Sequence, residues 1–513
     1  MEDTINITIT DYRARMRGCW LGKNIGGILG TPTEGSPFIH SLEYYEPVPD
    51  KPLPNDDVEL QMMYLAKLAG EESPVVNRLV LADIWRNHFG MHCDEYAVAL
   101  RNLKMGLLPP WTGSFDNAFT EGMGAAIRSE LWACLAPNNP ALAAKWAYED
   151  ACIDHAGLGI DAEVFLAALE SLAFGGGEIR SLIGQAMDFL PQNSEFRVSL
   201  ADAITMYDDC RDWRSVRESL VKRYGVECPT SVRMNIPLAV LALLEGNGDF
   251  GRTICTAVNC GMDTDCTGAT TGAIMGILHP DGIGQKWLAP IGEGIAVRPE
   301  FVKSLDTPKN VDDLCGMIEA LRAKLPVDFM PVPDTPSPDL AKFNRNVDVA
   351  FVQDKAWFLV ETSKLEWKTI QARPSLGELP LDKPNDGNYF VVLRFRFDVP
   401  QDGEYEVMFN SDSSNQCYLD PPRTLIHDAK DMTFGRIRLW METPDENGNY
   451  PALPRPLIWE PSLACAPLNQ IKRCLKLKAG EHQLLVVLEP LPCETRIRWG
   501  FGVGTMDDNA FVI

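Results

Sequence analysis

The hydrophobic pattern of the chain changes character once. From Tyr12 to about Leu325 apolar residues recur at helical spacing, as in Tyr12–Leu29, Val58–Leu68, Val75–His88, Glu121–Cys134, Ala141–Ile153 and Ala162–Phe174. Pro and Gly interrupt the pattern at Pro47–Pro54, Leu108–Gly113 and Gly175–Gly177. Long β-branched alternation is missing here, so residues 1–325 predict one large all-α domain. Residues 326–343 turn proline-rich, with LPVDFMPVPDTPSPD running from Leu325 to Asp339, and read as an extended linker. Beyond it the period becomes two. Tyr389–Val399, Gly403–Phe409, Met432–Met441 and Glu481–Leu488 alternate apolar and polar, with Gly and Pro between them. Residues 344–513 therefore predict an antiparallel β-sandwich. Its Trp357, Trp367, Trp440, Trp459 and Trp499 read more readily as core or edge residues than as sugar platforms.

Two of the helical stretches carry small residues on one face. In GCWLGKNIGGILGTPTEG, Gly22, Gly26 and Gly30 share a face, and a Thr-Pro-Thr loop follows that carries Glu34. In CTAVNCGMDTDCTGATTGAIMGILH, Gly268, Gly272 and Gly276 do the same, with Ala269 and Ala273 beside them. Such faces let a neighbouring backbone come close. Acids stand at two helix starts: Asp263 and Asp265 before the second glycine helix, and Asp56-Asp57 in PNDDVEL. Each pair has two readings. One Asp caps a helix well, and Asp56 or Asp57 with Glu59 would make a capping box. Doubled acids exceed what a cap needs, and buried carboxylates are costly unless a cation or several donors satisfy them. Four such groups suit one or two hard divalent cations.

The bulk numbers narrow the partners. At 513 residues the chain exceeds one ordinary core. With 71 acidic against 47 basic residues the net charge is −24. That excludes a nucleic-acid or anionic-membrane surface as an expected partner and suits a cation site. The start, MEDTINITITDYRARM, shows no secretory pattern, and no apolar run is long enough to span a bilayer. The 14 Cys form no C-x-x-C pair, and Cys19, Cys134 and Cys152 lie in apolar stretches. Buried free thiols in a reducing cytoplasm are expected.

Taken in order, the motifs resemble the ADP-ribosylglycohydrolase superfamily, the fold of the dinitrogenase-reductase-activating and ADP-ribose-arginine or -serine hydrolases. The glycine helix from Gly22 to Glu34, the helix start Asn55-Asp56-Asp57, the middle stretch Gly124-Ala125-Ala126-Ile127-Arg128 and the late loop Asp263-Thr264-Asp265-Cys266 match its pattern over about residues 12–325. The resemblance implies an all-α domain with a magnesium centre of one or two ions, manganese being a possible substitute. It implies hydrolysis of an N- or O-glycosidic bond at a ribosyl anomeric carbon. Matched by position, Asn55, Asp56, Asp57, Asp263, Asp265 and Cys266 would be the metal ligands. Glu34 and Asp57 would be catalytic, Glu34 as the acid that assists the leaving group or activates water. Gly124 and His155 would bind substrate, His155 at a position where the family lines its cleft; apart from the resemblance, Asp116 and Asn117 lie in a Trp-Thr-Gly-Ser-Phe loop that reads as a substrate lid and are substrate-binding candidates. Trp111 and Phe115 are candidates to stack on a base or a sugar.

Three positions depart from the family pattern. Asn55 and Cys266 stand where hydroxyl ligands are usual, and Lys23 stands where many members carry Asp. A thiol is a poor magnesium ligand, and Thr264 and Thr267 flank it as substitutes. Three functions stay open at this point: an ADP-ribosyl hydrolase, a glycoside hydrolase acting on a furanosidic or other glycan gripped by a carbohydrate-binding sandwich, and a catalytically weakened ADP-ribose or sugar binder. The change of period itself predicts an experiment. Residues 344–513, expressed alone, should give strand-type circular dichroism and a cooperative melt; a disordered fragment would count against an independent sandwich.

Overall fold

The computed structural model describes residues 9–91, 94–117, 119–226, 228–326, 329, 332, 334–352, 364–373, 377–381, 390–411, 414–419, 424–428, 471–489 and 496–505. They fall into two compact units. One comprises residues 1–91, 108–114 and 119–335; the other comprises 92–107, 115–118 and 336–513. Met432–Met441, Trp357, Trp440 and Trp459 lie outside the described residues.

Among its described residues the first unit is helical, with isolated bridges such as Gly122–Ser231. Its centre is the antiparallel-looking seam of two small-residue helices, Ile9–Gly30 and Thr264–Leu278. A Cβ added at Gly22 would stand 2.0 Å from the Gly272 carbonyl oxygen, and one at Gly26 would stand 1.9 Å from that of Gly268. The reverse holds from the partner: a Cβ at Gly276 would stand 1.9 Å from the Gly18 oxygen. The two backbones are thus in direct contact over three turns, and every residue of Thr264–Leu278 is buried. Asp56–Ala69, Leu158–Ala173, Val232–Gly246 and Phe250–Asn259 complete the surroundings.

One expected helix is not continuous. Glu121–Cys134 splits into turns, a short 3-10 turn at Ala126–Arg128 and the helix Glu130–Leu135. Gly122 bridges to Ser231 instead of joining a helix, and the Arg128 guanidinium turns back to the Gly124 carbonyl oxygen (2.6 Å). The expected capping box also differs. Asn55 caps Asp56–Ala69, its Oδ1 accepting the Asp57 N–H (2.7 Å). Glu59 turns away to the Arg298 guanidinium, with Oε2 2.8 Å from Nε. Asp56 and Asp57 are therefore not needed as caps.

The second unit carries the strands β1 (Arg345–Val352), β2 (Lys368–Ala372), β3 (Gly377–Pro380), β4 (Phe390–Val399), β5 (Gly403–Ser411), β6 (Ser414–Leu419), β7 (Thr424–Asp428), β8 (Ile471–Leu477), β9 (Gly480–Glu489) and β10 (Arg496–Thr505). They form two antiparallel sheets, β2-β1-β4-β9-β6-β7 and β3-β10-β5-β8. Val347, Leu393, Phe395, Leu484 and Val486 of the first share one apolar core with Tyr405, Val407, Trp499, Phe501 and Val503 of the second. Phe395 stacks on Phe501 with centroids 4.5 Å apart. Trp499 is a core residue, and Trp367 lies under the Arg394 guanidinium (4.2 Å). No helix among the described residues is long and apolar enough to cross a membrane.

The backbone seam sets a stability prediction. Gly22→Ala should cost about 3 kcal/mol or more, since neither carbonyl can yield without parting the helices. Gly184→Ala, at a helical glycine with nothing within 4 Å, should instead stabilise by about 0.5–1 kcal/mol. Urea denaturation of both variants checks the pair; equal effects would sink the argument.

Candidate functional site

The seam places a helix end against a helix start. At Gly30 a Cβ would stand 2.2 Å from the Thr264 carbonyl oxygen, so the end of the first glycine helix abuts the beginning of the second. Thr264 Oγ1 donates to the Gly30 carbonyl (2.8 Å), and Thr33 Oγ1 lies 3.1 Å from Thr264 Oγ1. Two backbone bonds clamp the Glu34 loop to the loop before Asp263: Gly35 N–H to Met262 O (2.8 Å) and Met262 N–H to Ser36 O (2.6 Å). Gly261 has φ +73°, and a Cβ there would meet the Phe38 carbonyl at 2.3 Å, so this crossing requires glycine. Arg217 ties both strands of the crossing, donating to Cys260 O (2.9 Å) and Pro37 O (2.6 Å).

Onto this frame the acids converge. Asp263 occupies the N-cap position of Thr264–Leu278, yet its side chain makes no capping bond. Its N–H is instead held by Asn235 Oδ1 (3.1 Å). The carboxylates of Asp57 and Asp265 and the Cys266 thiol each present one atom within 4.8 Å of the others. Cys266 Sγ lies 3.7 Å from Asp57 Oδ2. Asn55 Nδ2 donates to Asp265 Oδ2 (3.1 Å), so its amide presents an N–H to that acid while its oxygen serves the helix cap. Asp56 is half-buried beside them, and Glu34 is exposed on its loop. Thr267 Oγ1 donates to Asp263 O (2.9 Å), so the hydroxyl protons of both threonines flanking Cys266 are committed to backbone carbonyls.

Electrostatics shows what the arrangement lacks. Burial, then the charges of Asp265 and Glu34, hold the Asp263 carboxyl well above the usual range. Burial also pushes Asp57 well up against the opposing pull of Lys23, and burial followed by Asp56 raises Asp265. Asp57 Oδ1 and Asp265 Oδ1 are buried without a hydrogen-bond partner. Buried carboxylates that repel one another and keep unpartnered oxygens are a donor set that a divalent cation satisfies. One cation is already built in. Lys23 is fully buried, with Nζ 2.7 Å from Glu130 Oε1 and 3.6 Å from Asp57 Oδ1. Gln61 Nε2 supports Glu130 Oε2 (2.8 Å).

The sequence model of the ADP-ribosylglycohydrolase family matches residues 8–322. The chain belongs to the ADP-ribosylglycohydrolase family. That match spans the glycine seam, both acidic helix starts and the Glu34 loop. Among solved structures, an ADP-ribosylglycohydrolase-related protein complex aligns at 19% identity and a TM-score of 0.44, over 62% of this chain and 99% of that one. A β-glucosidase from Kluyveromyces marxianus, solved with glucose, aligns at 17% identity and a TM-score of 0.21. That alignment covers 32% of this chain and 16% of that one. No curated protein matches the chain. Family membership brings glycosyl-bond hydrolysis as the general class of activity.

The remaining expected site residues have partners of their own. His155 Nδ1 lies 2.9 Å from Asp154 Oδ1, and Arg128 joins Asp154 (2.6 Å), Asp150 (2.9 Å) and the Gly124 carbonyl in one buried network. Burial would raise Asp154, but Arg128 and His155 outweigh it and hold it down at about 2. Asp116 and Asn117 are buried within the second unit, where Asp116 is ion-paired with Arg373. Phe115 packs on Phe343 (5.2 Å) and under the Arg373 guanidinium (4.9 Å). Motif reading missed Asn235, Arg217, Glu130 and Gln61. A lone acid in the apolar run ELWACL was a signal for Glu130; nothing local marks the others.

The raised acids fix the sign of a pH effect. A carboxyl raised in the fold contributes most below its unfolded value and becomes a burden as pH rises towards its folded value. In chelator, Asp263→Asn should therefore gain stability over the wild type as pH rises from about 4 upward. Melting temperatures of both proteins across pH check this; a constant difference would mean that Asp263 does not titrate in that window.

Proposed function

We propose that the helical unit hydrolyses the glycosidic bond at the anomeric carbon of an ADP-ribosyl or related ribofuranosyl group, with Mg2+ or Mn2+ as its cofactor. The observation that carries this reading is the convergence of Asp57, Asp263 and Asp265, buried and partly unpartnered, at the junction of two helix starts inside the family match. Asp57 and Asp265 would hold the cation, with Asp56 and Asp263 beside them and the Cys266 thiol at its edge. A divalent cation held there would orient the ribose hydroxyls and make an attacking water more acidic.

The chain's own groups do the rest. Asn55 orients Asp265 through its amide, and Asn235 holds the backbone of Asp263. Glu34, on a loop clamped beside Asp263, reaches solvent, where water and an aglycone of varied size have access. From there its carboxylate takes a proton from the attacking water or, protonated, gives one to the departing group. Cleavage through an oxocarbenium-like state needs that acid–base help together with nearby negative charge, which the buried acids provide.

A panel of ADP-ribosyl-arginine, ADP-ribosyl-serine and aryl furanosides, with product identification, tests the class of substrate. Glu34→Gln should lower kcat by about 100-fold or more while leaving the magnesium-dependent thermal shift in place. Asp263→Ala should abolish that shift. ADP-ribose binding without turnover on any member of the panel would show a binder instead of a hydrolase.

A further inference from the structure

We infer that Lys23 takes the place of one metal ion: the site binds a single exchangeable divalent cation, and the Lys23 ammonium is its fixed second positive charge. The inference rests on the metal centre proposed above and concerns its composition.

Asp57 is the residue that shows it. Its two oxygens face different neighbours. Oδ2 faces Cys266 Sγ at 3.7 Å, within the cluster completed by Asp265. Oδ1 faces Lys23 Nζ at 3.6 Å and has no hydrogen-bond partner. A metal ion on Oδ1 would sit about 2.1 Å from that oxygen, on the side that the ammonium already faces. Lys23 has little room to withdraw. It is fully buried, its neighbour Gly22 has its backbone against Gly272, and its Nζ is bonded to Glu130 Oε1 at 2.7 Å. Glu130 is itself held by Gln61 and lies near Glu170, so the acids around the ammonium keep it where it is.

Repulsion between cations points the same way. A second divalent ion would put three cations around Asp57 at short range, which like-charge repulsion in a buried site opposes. Cys266 restricts the other side, since a thiol is a weak partner for a hard ion.

The test is manganese stoichiometry on the full chain, read by equilibrium dialysis and by electron paramagnetic resonance. The wild type should bind one Mn2+ per chain with an uncoupled spectrum. Lys23→Met/Glu130→Gln, which removes the ammonium and its buried counter-charge together, should bind a second ion and show a spin-coupled pair. Two ions in the wild type would overturn this inference and leave the proposed metal centre standing. A folded double variant that still binds one ion would also overturn it. No Mn2+ binding at all by the wild type would overturn the metal centre, and this inference with it. Should the double variant not fold, the wild-type count alone decides.

Discussion

Backbone contact between two glycine helices is the constraint on which the rest of the molecule depends. With Gly18, Gly22, Gly26 and Gly30 on one side and Gly268, Gly272 and Gly276 on the other, carbonyl oxygens stand where a Cβ would need to be. Ordinary helix pairs pack at 8–10 Å between axes because side chains intervene; here none do. The consequence is positional. Thr264 is pressed on Gly30, so the acids on either side of it and the Glu34 loop that follows Gly30 have one relative placement. Lys23, one residue after Gly22, is carried into the interior by the same contact. A looser pair would let each of these groups relax towards water.

The charges buried by that frame are arranged unevenly. Arg128 is surrounded by Asp150, Asp154 and His155 with several short bonds, and Asp154 stays ionised down to about pH 2. That is a satisfied network, of the kind that holds segments in register. The Asp57, Asp263 and Asp265 group is the opposite: raised, mutually repelling, with oxygens left unpartnered. Burying polar groups in that state costs free energy that the fold does not recover by itself. Both clusters are rich in buried acids, and only the first is satisfied by its own neighbours.

Much of this was legible from residue spacing. Glycines four apart on two helices announced close packing, and the paired acids at two helix starts lie close together in the fold. The switch to a period of two marked the strands, and β4, β5 and β9 appear where alternation placed them. Local pattern failed where a distant partner decided the outcome. Gly122 leaves the helix pattern of Glu121–Cys134 because Ser231, far along the chain, offers it a bridge. Glu59 fits a capping box by spacing, but Arg298 outbids the backbone with a charged fork. Asn235 and Arg217 hold the acidic loop through bonds that no short motif encodes.

The cap at Asn55 explains why the doubled acid persists beside it. An acid at Asn55 would cap the helix as well as the amide does. It would also place another negative charge against Asp265, which Asn55 now meets with an N–H at 3.1 Å. An amide is the group that can accept from the Asp57 N–H and donate to Asp265 at once. Through it the helix start is closed, Asp56 and Asp57 are released from capping, and Asp265 is oriented by a neutral partner. The same economy of charge holds at Lys23, which faces Asp57 while bound to Glu130. Neutral donors and one fixed cation thus bring the carboxylates together without neutralising them, and leave their remaining charge for a ligand to meet.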